Sequence, residues 1–305
     1  MYFDFWKAVM TQKILIVGIG VMGAPMAKNI INAGFDVAVC DESSDALVDF
    51  HDIATLVSTS PSKAALNRNV IITVLPNSDI VENVLFGEEG ALASAVPNSL
   101  VVDMSTGSYD KTMKIAKKIE KLGHKFVDAP VGRTPREALT GQLLVMVGGE
   151  EQHVKELNGI FKAVGNTIIH VGETGCGLKA KLVNNYMAMI NNVVTGETLS
   201  LANSVGLDVG LMADLMSTTA AGLGQLNTNY PKKVLSGDLK PDFPIFMAIK
   251  DLTMAIELAE GHDAVPKFGR LARKTFEGAK ERGMGSLDQT AIMKYLMSND
   301  GKNSQ

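Results

Sequence analysis

Lys181, Asn184 and Asn185 stand at i, i+3 and i+4 within "GCGLKAKLVNNYM", residues 175 to 187. On a helix that spacing puts all three side chains on one face. An ammonium so placed can stabilise an oxyanion as it forms from a carbonyl and hand it a proton. The reverse step needs the neutral amine, hence a lowered pKa, which partial burial or a nearby cation provides. A solvated lysine on a polar helical stripe has the same local sequence, so the triplet alone leaves both readings open.

A second group lies near the N-terminus. "GIGVMG" places Gly18, Gly20 and Gly23 in the pattern G-x-G-x-x-G, with Val21 and Met22 inside the turn, where a strand passes into a helix. The first glycine permits the tight turn, the second lets backbone amides approach a pyrophosphate, and the third lets helix and strand pack closely. The next apolar run, "DVAVCD", ends in Asp41, about the 20 residues downstream expected of a carboxylate that accepts from the adenosine ribose hydroxyls. An acid there repels a 2'-phosphate, and no arginine follows closely, so the pattern reads as NAD(H) in preference to NADP(H). A glycine turn without a ligand and an ordinary turn aspartate are the competing readings.

The third group is Gly132, Arg133 and Thr134 in "DAPVGRTPREALTGQLLVMVGG", residues 128 to 149. A guanidinium offers a fixed charge and a planar fork of N–H donors, and threonine adds a hydroxyl, a set that suits an oxyanion. Pairing of Arg133 with Glu137 or another surface acid is the plainer alternative.

The elements that must position these residues alternate along the chain. "KILIVGIG", "DVAVCD", "NVIITVLP", "SLVVDMS", "KFVDAPV", "LLVMVGG" and "TIIHVG" are short strand-like runs, with helical sequence between the earlier ones. That order predicts βαβ units and a mostly parallel sheet. After about residue 175 the strand signals stop, and residues 178 to about 205 read as one long proline-free helix followed by further helices. The expected architecture is α/β: an N-terminal Rossmann-type doubly wound parallel sheet over residues 13–174, then an all-α domain over 175–305, joined by the long helix. Residues 1–12 read as an extension, with Met10 before "TQKILIVGIG" as an alternative chain start. The segment lacks the long apolar core of a signal peptide.

Composition sets the class. The chain has 305 residues, 46% hydrophobic and 20% charged, with a formal net charge of -4, and offers no basic stripe for nucleic acid or an anionic membrane. It has no run of 18 apolar residues. Its two cysteines, Cys40 and Cys176, fit neither a disulfide framework nor a metal quartet and suit a reducing compartment, the cytoplasm by default. Its 16 methionines read as packing material in broad helical faces. The partner class is a small molecule.

In order along the chain, "GIGVMGAPMA", "DMST" at 103–106, "DAPV" followed by "TGQLLVMVGG", "GCGLKAKLVNN" and "KDL" at 250–252 resemble the β-hydroxyacid dehydrogenase family from about residue 13 onward. The resemblance implies a nicotinamide cofactor, Lys181 as catalytic acid/base and a homodimer or homotetramer formed through the helical domain. It also implies that Leu75 and Thr106 line the cofactor site and that Lys250 lies near the nicotinamide end; a surface salt bridge is the alternative for Lys250. Where most of the family reads "PVSGG", this chain reads Val131-Gly132-Arg133-Thr134. Together with "TAAGLGQ" and "PKKVLSGDL", that departure is similar to the branch that reduces 3-sulfolactaldehyde to 2,3-dihydroxypropane-1-sulfonate with NADH during sulfoquinovose breakdown. The expected substrate is therefore a small anionic aldehyde or hydroxy-sulfonate. Succinic or tartronate semialdehyde, 3-hydroxyisobutyrate and a non-catalytic dinucleotide-binding role are the alternatives.

Overall fold

A computed structural model describes residues 12–298. The expected N-terminal extension, including the alternative start at Met10, lies outside the described residues except for Gln12. The chain divides into two compact units, with the division after Tyr186.

Among the described residues the first unit has nine strands: β1 (Lys13–Val17), β2 (Asp36–Cys40), β3 (Leu56–Ser58), β4 (Val70–Thr73), β5 (Leu100–Asp103), β6 (Lys125–Asp128), β7 (Val131–Gly132), β8 (Leu143–Gly148) and β9 (Gly165–Gly172). Their order is β3-β2-β1-β4-β5-β6-β8-β7, with β9 also paired to β8. From β3 to β6 all pairings are parallel; β8 then runs antiparallel to β6 and β7, and β9 parallel to β8. The parallel strands are apolar on both faces because both faces are covered. Ile14, Ile16, Val37, Val39 and Ile72 enter one core, where Met26, Ala27 and Ile30 of α1 (Gly23–Asn32) meet them. Leu15, Val17, Ala38 and Ile71 point the other way, into a core shared with Val81 and Leu85 of α2 (Ser78–Phe86) and Ile115, Ala116 and Ile119 of α3 (Tyr109–Lys121). Successive residues alternate between the two cores, and each fully buried Ile or Leu contributes roughly 1.5–3 kcal/mol. The doubly wound sheet predicted from the alternating runs is present. It also has two strands that those runs do not announce as separate elements, β3 and β7.

No strand follows Gly172 among the described residues apart from an isolated bridge between Pro244 and Asp288. After the short α4 (Pro135–Leu139), the 29-residue α5 (Cys176–Ser204) begins in the first unit and continues into the second. The second unit is helical, with α6 (Val209–Ser217), α7 (Ile245–Glu260), α8 (Lys267–Ala279) and α9 (Ile292–Ser298). Glu197 on α5 accepts from the backbone N–H groups of Phe268 and Gly269 at 3.0–3.1 Å, capping the start of α8.

Candidate active site

Strand order reverses direction between β1 and β4, and a cleft of about 680 Å³ opens there, at the C-terminal ends of the strands. This crevice is where open α/β sheets take their ligands. Gly18, Gly20, Val21, Met22, Gly23, Asp41, Leu75, Thr106, Arg133 and Lys181 all line it. Gly132, Thr134, Asn184 and Asn185 do not, and Lys250 belongs to the second unit.

The three glycines differ in their surroundings. Gly18 has φ +97°, and a Cβ there would stand 2.2 Å from the Val74 carbonyl oxygen. A Cβ on Gly23 would stand 1.8 Å from the Gly18 carbonyl oxygen, whereas one on Gly20 would meet nothing within 4 Å. Gly20 thus faces open space, so no protein atom requires it to be small. No side chain caps α1 and no acid lies in its first turn, so its positive end is left for an anion. Asp41 takes the Ile19 N–H at 2.7 Å on Oδ2 and the Ser43 N–H at 2.9 Å on Oδ1, which fixes the carboxylate and leaves each oxygen a further lone pair. These features fit a dinucleotide: the turn and α1 would hold the pyrophosphate, and Asp41 the ribose. Glu42 beside Asp41, Pro76 in the β4–α2 turn, and Ile80 and Asn83 on α2 also line the cleft. Glu42 and Pro76 stand just past strand ends, a signal legible in the sequence, whereas Ile80 and Asn83 are brought to the cleft by α2. Cys40 lines it too, but burial first and the Asp41 charge second push its thiol up to about 12.

Lys181 reaches the cleft from the second turn of α5. It is half-buried and pairs with no acid among the described residues, and burial holds its ammonium below the ordinary lysine value. The partial burial asked of a reversible acid/base is therefore present. Asn184 is exposed, and its Nδ2 reaches Asn185 Oδ1 at 3.4 Å; the two amides contact each other, outside the cleft lining.

Arg133 has φ +77°, left-handed backbone on a residue with a Cβ, at a cost of about 1–3 kcal/mol. Its guanidinium donates to the Gln142 carbonyl oxygen, to Asn166 Oδ1 at 2.6 Å and to Thr167 Oγ1 at 3.1 Å. All three acceptors are neutral. Glu137, the acid considered as its partner, instead accepts from the Thr134 N–H at 3.0 Å and from the Thr134 hydroxyl at 2.5 Å. Thr134 is the N-cap of α4 in a capping box, with Pro135 at the first helical position. Its hydroxyl is therefore committed to local structure, and Gly132 is buried in β7. Of the proposed oxyanion set, Arg133 alone reaches the cleft. Lys250 pairs with Asp251 at 3.1 Å on α7.

Comparison with known proteins agrees with this fold. Residues 13–172 match the family model described as the NAD binding domain of 6-phosphogluconate dehydrogenase. Residues 175–296 match the model described as NAD-binding of NADP-dependent 3-hydroxyisobutyrate dehydrogenase. The chain belongs to the β-hydroxyacid dehydrogenase family. This dehydrogenase is 37% identical to the 3-sulfolactaldehyde reductase of Escherichia coli K12 over 94% of its own length and 97% of the relative's. It is 32% identical to the 2-(hydroxymethyl)glutarate dehydrogenase of Eubacterium barkeri, covering 92% and 94%. Among solved structures, Mycobacterium tuberculosis 3-hydroxyisobutyrate dehydrogenase with L-serine is 27% identical, with a TM-score of 0.65 and coverage of 94% and 99%. The chain is an NAD-binding oxidoreductase of the β-hydroxyacid dehydrogenase type.

Proposed function

We propose that this dehydrogenase reduces a small anionic aldehyde with NADH in preference to NADPH, and that the aldehyde is 3-sulfolactaldehyde, giving 2,3-dihydroxypropane-1-sulfonate. The observation that carries the reading is Arg133: a guanidinium bound only to neutral acceptors, so its charge is unspent, on the wall of the cleft that Lys181 also lines. NADH bound in the cleft supplies the hydride. Lys181 gives its proton to the carbonyl oxygen as negative charge develops there, and takes it back in the oxidative direction. Arg133 meets the sulfonate and turns the aldehyde end toward Lys181, and Asp41, with Glu42 beside it, disfavours a 2'-phosphate at the ribose end. The reading is supported by the 37% identity to a 3-sulfolactaldehyde reductase. A second reading, a carboxylate semialdehyde such as succinic or tartronate semialdehyde, is favoured by the loss of the Thr134 hydroxyl to its capping box, which leaves fewer donors for a third anionic oxygen.

The same proposal includes a homodimer or homotetramer. It also places the enzyme in the cytoplasm, where Cys40 and Cys176 stay as free thiols. Among the described residues, no helix is long and apolar enough to cross a membrane.

The deciding experiment measures NADH oxidation by the purified enzyme with 3-sulfolactaldehyde, succinic semialdehyde and tartronate semialdehyde, with NADPH and Arg133→Gly as further arms. We expect kcat/KM at least about a hundredfold higher for the sulfonate (about 2.7 kcal/mol). Arg133→Gly raises its KM while leaving neutral aldehydes unchanged. Equal or better carboxylate turnover, or an unmoved KM in the variant, removes the sulfonate reading.

A further inference from the structure

Asp128 is the last residue of β6 and is 1% exposed. Its carboxylate does not line the cleft. It reaches across to the start of α5, where Oδ1 accepts the Gly175 N–H at 2.6 Å and Oδ2 accepts the Leu178 N–H at 2.7 Å. A helix start leaves such donors without intrahelical partners, and here a strand 47 to 50 residues upstream supplies both acceptors. Local packing leaves the carboxylate little freedom. A Cβ on Gly148, the register partner of Asp128 on β8, would stand 2.6 Å from Asp128 Oδ1 and 2.6 Å from the Gly177 nitrogen. One on Gly177 would stand 2.4 Å from the Met146 carbonyl oxygen. The ends of β6 and β8 and the first turn of α5 are therefore locked together. Lys181 follows Leu178 by three residues on that helix, so the anchor that sets the first turn sets the direction from which the ammonium enters the cleft.

We infer that Asp128 is a positioning residue for Lys181: it holds the N-terminal turn of α5 to the sheet and so aims the proton donor, without touching substrate or cofactor. The inference rests on the reading of Lys181 as the acid/base. It is distinct from a charge effect, because the depressed Lys181 pKa comes from burial and not from Asp128. Burial pushes the Asp128 carboxyl upward while the Gly175 and Leu178 donors pull the other way. A wrong aim of about 1 Å is enough to cost on the order of a hundredfold in rate.

A double-mutant cycle with Asp128→Asn and Lys181→Ala, read as kcat and as KM for NADH, tests this. Asn keeps the size but turns one acceptor into a donor facing an N–H. We expect Asp128→Asn alone to lower kcat by about 10- to 100-fold with KM for NADH within about threefold, and to cost nothing further in the Lys181→Ala background. Asp128→Ser is one atom shorter, so it loosens both anchors without setting a donor against an N–H; it is expected to lower kcat in the same direction as Asn, and stands in for Asn if Asn does not fold. Equal losses in both backgrounds, or a kcat untouched by either Asp128 variant, overturn the inference. If Lys181→Ala itself turns over like wild type, the acid/base reading fails instead, and the cycle separates the two failures.

Discussion

Four described lysines depart from the ordinary lysine value: Lys111, Lys179 and Lys233 are pushed up by partners, and Lys181 alone is pushed down, by burial. Its neutral amine, the form that would accept a proton in the alcohol oxidation proposed above, is therefore populated at lower pH than on an exposed lysine. The sign follows directly. Alcohol oxidation should rise with pH to a midpoint below about 10.4, and aldehyde reduction should fall over the same window, as seen in kcat profiles taken in both directions. A midpoint at or above the ordinary value would assign the titration to another group. Single residues were also where the sequence was most easily misjudged. Thr134 looks like a ligand donor beside Arg133, yet Thr134-Pro135-Arg136-Glu137 already carries a capping-box signature with proline at the first helical position. The partners of Arg133 were beyond reach because Asn166 and Thr167 lie 33 and 34 residues away, on a strand whose pairing with β8 is interrupted by register shifts.

The β1–turn–α1 element was legible because its determinants are contiguous: a buried strand, three glycines at fixed spacing and an apolar helix face. The structure adds which glycine serves the fold and which leaves room for a ligand. Gly20→Leu should fold with little change in Tm, since its Cβ meets nothing within 4 Å, but should weaken NADH binding tenfold or more (about 1.4 kcal/mol), as measured by fluorescence titration. Gly23→Ala, with a Cβ 1.8 Å from the Gly18 carbonyl oxygen, should lose Tm instead. Tight NADH binding by Gly20→Leu would place the pyrophosphate elsewhere. Strands β3 and β7 escaped as elements for a different reason. Three and two residues long, they are too short to show a period, and neighbouring strands define them more than their own sequence does.

At the scale of the molecule, the second unit has little core of its own: Ile245, Ala279 and Ala291 are its central buried cluster. Along α5, Val183 is 71% exposed, Tyr186 72% and Met189 62%. Spaced three apart, these apolar side chains form one exposed stripe, which suits the second copy of this chain proposed above as its occupant. Sedimentation should give a native mass at a multiple of the 32.5 kDa chain, and Tyr186→Asp with Met189→Asp should shift it toward the monomer. A monomer at micromolar concentration would refute this. Helix-rich composition beyond residue 175 announced the helices, whereas which of their methionines are buried depends on neighbours that composition does not name.

The three acceptors that hold Arg133 have a thermodynamic consequence. A free arginine side chain carries about 2 kcal/mol of rotamer freedom, and here Gln142, Asn166 and Thr167 have restricted it before any ligand arrives. An anion that docks against this guanidinium meets a donor already ordered, so folding has borne the entropic cost that binding would otherwise carry. If Arg133 meets the substrate's anion as proposed, such a fixed charge would also act as a ruler: it would reward an aldehyde whose anionic end and carbonyl are the right distance apart, and could not stretch to meet one that is shorter.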